Sequence, residues 1–349
     1  MAEPQAIERL VNRGLLNQWY PVLPSWAVAG APVGITRLSQ NLVLWRDENG
    51  AVKAIEDRCP HRGARLSLGW NLGDRLACWY HGVEVDGTGT VRKVPAVDRC
   101  PMEGERRVKS YPVKEVRGGI FVYFGDALHT EPCPLQLPEE LVNEEEYGAI
   151  LCFAKWKCNH RYAIDNVMDP MHGAYLHSLS HSMASGDKTA NMQMRKTPTG
   201  IIFEKTNQRD VNFDWTEFGD TGAMWLRLAI PYRPNAGPGG NFGICGFVTP
   251  VDEDNCLVFF WRTRKCTGWV RDAWQFMFRT KLEGLHWAVL EQDRFVLENM
   301  APDARTHEFL YQHDTGLARL RRILEQKAKT QVEALEKANA SAPAARSAA

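Results

Sequence analysis

Two short pairs of metal-ligating residues constrain this chain more than any other feature. Cys59-Pro60-His61 and Cys78-Trp79-Tyr80-His81 flank residues 62–77, and each pair sits in a turn between predicted strands. Two thiolates and two imidazoles suit a structural zinc, or a [2Fe–2S] cluster with the cysteines on one iron and the histidines on the other. Spacing alone leaves that choice open. The chain has nine cysteines, an odd number, and its first residues, MAEPQAIERLVNRG, lack the basic region and apolar core of a secretory leader. Thiols and ligands are therefore expected rather than a disulfide framework. Cys100, Cys133, Cys152, Cys158, Cys245, Cys256 and Cys266 show no ligand spacing and read as small buried hydrophobes or inert thiols.

The 349 residues leave room for two domains. A helical stretch over 7–17 leads into short strands at 42–45, 51–55, 83–85, 90–91, 113–116 and 120–124, punctuated by Asn49-Gly50, Asp86-Gly87 and Gly118-Gly119. Residues 129–148, with Pro132, Pro134, Pro138 and the acidic run Glu144-Glu145-Glu146, have no clear period and read as a linker. Beyond it a helical segment at 158–178 precedes strands at 201–206, 224–230, 241–248 and 256–262. Helices follow at 269–290 and 315–335, and 338–349 is an unstructured tail. The expected division is a helical segment over 1–20, a β domain over 21–128, the linker, and a second domain over 149–337. Forty-two basic residues balance forty-two acidic ones, no basic stretch interleaves with aromatics, and no apolar run is long enough to span a bilayer. The expectation is a cytoplasmic protein that binds neither nucleic acid nor membrane.

A second constellation lies in the second domain, where residues 166–177 carry Asn166, Asp169, His172 and His177. Nitrogen and oxygen donors suit a harder metal than the thiolate site. On an ideal helix His172 and His177 would diverge by about 140°, too far to chelate one ion. Pro170 and Gly173 lie where a kink would bring them together. His177 and His181, at i and i+4, are a rival pair on a regular helix. His160, His181 and His286 otherwise read as ordinary polar residues.

CPHRG followed by CWYHG resembles the ligand loops of Rieske domains. The extra cysteines that accompany those loops in respiratory-complex Rieske proteins are replaced here by Arg62-Gly63-Ala64 and Trp79-Tyr80. Asn166-x-x-Asp169-x-x-His172-x4-His177 is similar to the mononuclear-iron motif of Rieske non-haem iron oxygenases. The resemblance covers the whole chain. It implies an α+β chain: an all-β Rieske domain, then a helix-grip domain whose antiparallel sheet and long C-terminal helices enclose an apolar pocket.

The resemblance further implies a [2Fe–2S] cluster on Cys59, His61, Cys78 and His81, with Arg62, Trp79 and Tyr80 packed around it. It also implies an Fe(II) on His172, His177 and a downstream carboxylate, Asp293, with Glu291 and Glu298 as fallbacks. Asp169 is expected to bridge His81 of one protomer to His172 of the next in a C3 trimer, and Asn166 to lie near the iron without ligating it. Phe242, Ile244, Phe247, Phe259 and Trp261 are candidate pocket residues, although aromatics at strand spacing are more often core. The implied activity is hydroxylation or demethylation of a small aromatic, chiefly an aromatic acid, by the terminal oxygenase of a multicomponent system, with or without a β subunit. Residues 237–243, GPGGNFG, lack the strand-turn-helix context of a dinucleotide site, so electrons from NAD(P)H must come through a separate ferredoxin or flavin reductase. The competing readings are a standalone electron carrier and a zinc hydrolase.

Overall fold

The computed structural model describes residues 3–180, 185–232 and 239–341. Its N-terminal part holds three small antiparallel sheets. Gln18–Pro24 pairs with Gly119–Phe124 and then Val113–Val116; Val33–Arg37, Gln40–Arg46 and Val52–Glu56 form a meander; and four short strands from Trp70–Asn71 to Val91–Lys93 form the third. Alternation along one strand builds two cores at once. Leu42 and Leu44 pack into a cluster with Tyr20, Val22 and Phe124, while Val43 and Trp45 face the other way against Cys59, Leu76 and Cys78. The Cys/His loops are thus backed by packed side chains.

The second part is one antiparallel sheet of seven strands. It begins with Tyr147–Trp156, passes through Cys256–Lys265, Asn241–Pro250, Met224–Pro231, Trp215–Asp220 and Gly200–Lys205, and ends at Met192–Lys196. Its two faces have different partners. Leu226, Leu228, Ile230, Phe242, Ile244 and Phe260 face the helices. Cys245, Phe247, Phe259 and Trp261 face Trp19, Phe121 and Tyr123 of the first domain. Because strand side chains alternate, the candidates for pocket lining divide by parity: Phe242 and Ile244 face the cavity, whereas Phe247, Phe259 and Trp261 form the core between the domains.

Several elements differ from expectation. The first helix is Pro4–Arg13, ended by Gly14 at φ 105° rather than running to 17. Its Val11, with Leu15 just beyond its end, packs into the second domain's core, and the helix contacts the C-terminal helix. Strand Tyr147–Trp156 begins inside the expected linker, which also contains a helical turn, Glu139–Val142, and sends Leu135, Leu137 and Leu141 into the inter-domain core. Strands Met192–Lys196 and Trp215–Asp220 were not anticipated. The final helix, Thr315–Ser341, continues into the expected tail.

The helix expected over 269–290 runs from Gly268 to Glu298 with a π turn at Phe278–Leu282. Its buried residues explain the turn. Trp274, Phe278, Leu282, His286 and Leu290 recur every four residues. Each such step drifts about 40° round an ideal α-helix, and an underwound π turn takes up part of that drift, keeping all five toward the sheet.

Candidate metal centres

The two Cys/His loops share one backbone scheme. In the first, the Cys59 amide donates to the Ala64 carbonyl at 2.7 Å and the Cys59 carbonyl accepts from Gly63 at 2.9 Å. In the second, the Cys78 amide donates to Val83 at 2.9 Å and its carbonyl accepts from Gly82 at 2.8 Å. Gly63 (φ 78°) and Gly82 (φ 69°) sit in the left-handed region that lets each loop turn back. Both cysteines are buried and both histidines exposed, with ring centroids 4.8 Å apart. Burial pushes the Cys59 thiol up to about 11, opposed by the His61 amide aimed at its sulfur and reinforced by Cys78 beside it. Tyr80 lies against His81 at 3.9 Å between centroids, and Arg62 covers Tyr80. Trp79 points outward and is 66% exposed.

The donor spacing bears on the metal. Four ligands on one tetrahedral zinc lie about 3.3–3.8 Å apart. Among the described residues only His172, His177 and Asp293 form a group of three whose donor atoms all lie within 4.8 Å of one another. No such group of three is found among Cys59, His61, Cys78 and His81. Paired buried thiols and paired exposed imidazoles fit a two-iron cluster, which is longer than one ion.

The second centre is made by a broken helix. Helix His160–Met168 stops at Asp169, which is extended (φ −100°, ψ 103°) because Pro170 disfavours α geometry in the residue before it. A new short helix, His172–Leu176, starts at once, and the His172 and His177 ring centroids come to 5.2 Å. The Asp169 carboxylate accepts the Met171 and His172 amides at 2.7 and 3.2 Å, capping that helix. His172 Nδ1 bonds the Asp169 carbonyl at 2.5 Å and is 3.8 Å from its carboxylate, because the capping amides hold the carboxylate away. His181 lies outside the described residues.

Each imidazole is held through Nδ1, leaving Nε2 to point inward. The Gln292 side-chain oxygen accepts from His177 Nδ1 at 2.8 Å. Both Nε2 atoms converge on Asp293 Oδ1, at 3.5 Å from His172 and 3.2 Å from His177. Burial disfavours His177's charged form, but Asp293 outweighs it and holds the imidazole above its usual range. Asp293 is buried on helix Glu283–Glu298, and its Oδ1 makes no hydrogen bond. A buried carboxylate oxygen facing two imidazole nitrogens at 3.5 and 3.2 Å suits a cation. Glu291 and Glu298 instead pair with Arg294.

Beside these three residues is a cavity walled by Val167, Phe213, Leu228, Ile230, Phe242, Ile244, Phe260 and Leu290, with Asn166, His286 and Arg262 as polar members. Sequence reasoning missed Gln292, Phe213 and Arg262. Gln292 adjoins Asp293 in the chain, but its role depends on a fold that brings residues 177 and 292 together.

Residues 18–112 match the Rieske [2Fe-2S] domain model, and residues 156–330 match the vanillate O-demethylase oxygenase C-terminal domain model. The chain belongs to the Rieske non-haem iron oxygenases. The vanillate O-demethylase oxygenase subunit of Pseudomonas sp. (strain HR199 / DSM 7063) is 36% identical over 165 residues, covering 47% of this chain and 45% of that protein. The matches span less than half the length of the first curated relatives. Two solved structures share the fold. Dicamba monooxygenase bound to dicamba has a TM-score of 0.74 at 22% identity, covering 91% of this chain and 98% of that one. The reduced complex between oxygenase and ferredoxin in carbazole 1,9a-dioxygenase has a TM-score of 0.73 at 20% identity, covering 90% and 92%. The family's domains carry a Rieske [2Fe–2S] cluster and a mononuclear iron. No described helix is long and apolar enough to cross a membrane.

Proposed function

We propose that this chain is the terminal oxygenase of a multicomponent system that hydroxylates or demethylates a small aromatic acid with dioxygen, drawing electrons from a separate ferredoxin or reductase. The observation that carries this reading is the convergence of His172 Nε2, His177 Nε2 and the unbonded Asp293 Oδ1 at an apolar cavity. These three residues would hold Fe(II), which supplies open coordination positions for dioxygen beside the substrate. Cys59, His61, Cys78 and His81 would hold the cluster, which supplies electrons one at a time.

The chain's own residues do the rest. The cavity walls exclude water and hold an aromatic ring, Asn166 lies beside the ligands, and Gln292 and the Asp169 carbonyl fix the imidazole tautomers. Asp169 keeps a partly exposed carboxylate at the outer end of this network, with 32% of its side chain exposed. In our reading it accepts a proton-bearing imidazole nitrogen of His81 from the next protomer. Exposed apolar residues flank both ends of that contact: Tyr175, Leu179 and Tyr311 are in the region of Asp169, and Leu68, Trp79 and Tyr80 are around the Cys/His loops. A head-to-tail contact of this kind can close into a ring, which in our reading has three members.

Aerobic turnover of an aromatic-acid panel with a surrogate reductase, NADH and labelled dioxygen tests the reading. Label in the product is expected. Protein loaded at both centres that consumes no dioxygen with any member contradicts it.

A further inference from the structure

The cavity beside His172, His177 and Asp293 contains a positive charge that its walls leave without an ion-pair partner. Arg262 lies within strand Cys256–Lys265, is 4% exposed, and faces the cavity with Leu228, Phe242, Ile244 and Phe260. Its Nε makes no hydrogen bond, and among the described residues no carboxylate stands within ion-pair distance of its guanidinium. Its guanidinium hydrogen-bonds the Cys152 thiol, which burial keeps neutral, and its carbon lies 5.7 Å from the Phe260 ring; neither partner carries a negative charge. Asp293 attracts it without pairing. Arg264, two residues along, does not line the cavity: it donates to the Gly239 carbonyl at 2.7 Å and stacks over Tyr232 at 5.1 Å, with its Nη1 left without a partner.

A buried guanidinium keeps its charge, and burying it without a counter-ion is costly. An apolar side chain would serve better if this position were only wall. The planar fork of Arg262 matches a carboxylate bidentately. We propose that Arg262 is the specificity-determining anchor for the carboxylate of an aromatic acid, whose ring occupies the apolar part of the cavity. This rests on the oxygenase reading for what happens to the ring, but binding is a separate property.

The test is calorimetric titration of the iron-loaded protein with benzoate, 4-methylbenzoate and 3-methoxybenzoate, each against its neutral amide. At least one acid is expected to bind tenfold or more tightly than its amide. Arg262→Gln should erase the preference and Arg262→Lys should retain part of it. Equal binding of every acid and its amide, no binding of any acid, or an R262Q protein that keeps the preference would overturn the proposal. The wild-type comparison stands even if a variant misfolds. Acid binding that needs Arg262, with no label entering any product, would sink the oxygenase reading and leave this one. Labelled products from neutral arenes, with no preference for acids, would do the reverse.

Discussion

The Cys/His loops and the His/Asp centre, which we propose as the two metal sites, are built in opposite ways. The loops are local: each closes within six residues by the same pair of backbone hydrogen bonds, buries its cysteine, and leaves its histidine at the surface. The second centre joins a broken helix to a side chain from a helix far along the sequence, and its ligand atoms face an internal cavity. Exposed imidazoles suit exchange of electrons with something outside the chain. A dry pocket suits chemistry on a bound molecule.

If the two centres are this independent, damage to one should spare the other. His177→Ala removes a proposed ligand and should lower iron at the second centre by more than the ~10–100-fold typical of losing an outer-shell partner, while the visible spectrum of the cluster is unchanged; metal analysis beside absorbance checks this. Loss of both signals would mean that the centres fold as one unit. Asp169→Asn is gentler, because asparagine also caps helices well and the short helix should persist. Both metals should be retained while turnover falls by at least tenfold, and full activity would remove Asp169 from the electron path. Gln292→Leu frees His177 Nδ1 and should weaken iron binding by about 10–100-fold, read by competition with a chelator. Gly63→Ala should have the smallest effect, about 1–2 kcal/mol of strain in one loop, because its added Cβ would meet nothing closer than Arg58 Nε at 3.6 Å; it is seen as a lower melting temperature with an intact iron centre.

The same contrast explains what the sequence made legible. The Rieske loops are contiguous motifs, and glycine and asparagine turns marked the flanking hairpins. At the second centre Pro170 predicted the break, but resemblance rather than geometry chose His177 with His172 over His177 with His181. Gln292 and Arg262 stayed hidden because a glutamine next to an aspartate, or an arginine in a strand, has no special spacing. Their roles come from the pairing of distant strands and helices. Phe247, Phe259 and Trp261 were ambiguous for a related reason, since period-two alternation shows that a strand has two faces but not which one meets the helices. The π turn left a trace in the four-residue recurrence of Trp274, Phe278, Leu282, His286 and Leu290, although a plain α-helix was the simpler reading.

The central claim is that the cluster of one protomer serves the iron of its neighbour through Asp169. Mixing two inactive variants tests it most directly: His81→Ala, which lacks a working cluster, and His177→Ala, which lacks the iron. After dissociation and reassembly together, the account predicts that oxygen incorporation returns, because some interfaces then join an intact cluster to an intact iron. A mixed assembly shown to contain both chains, yet as inactive as either parent, would contradict it.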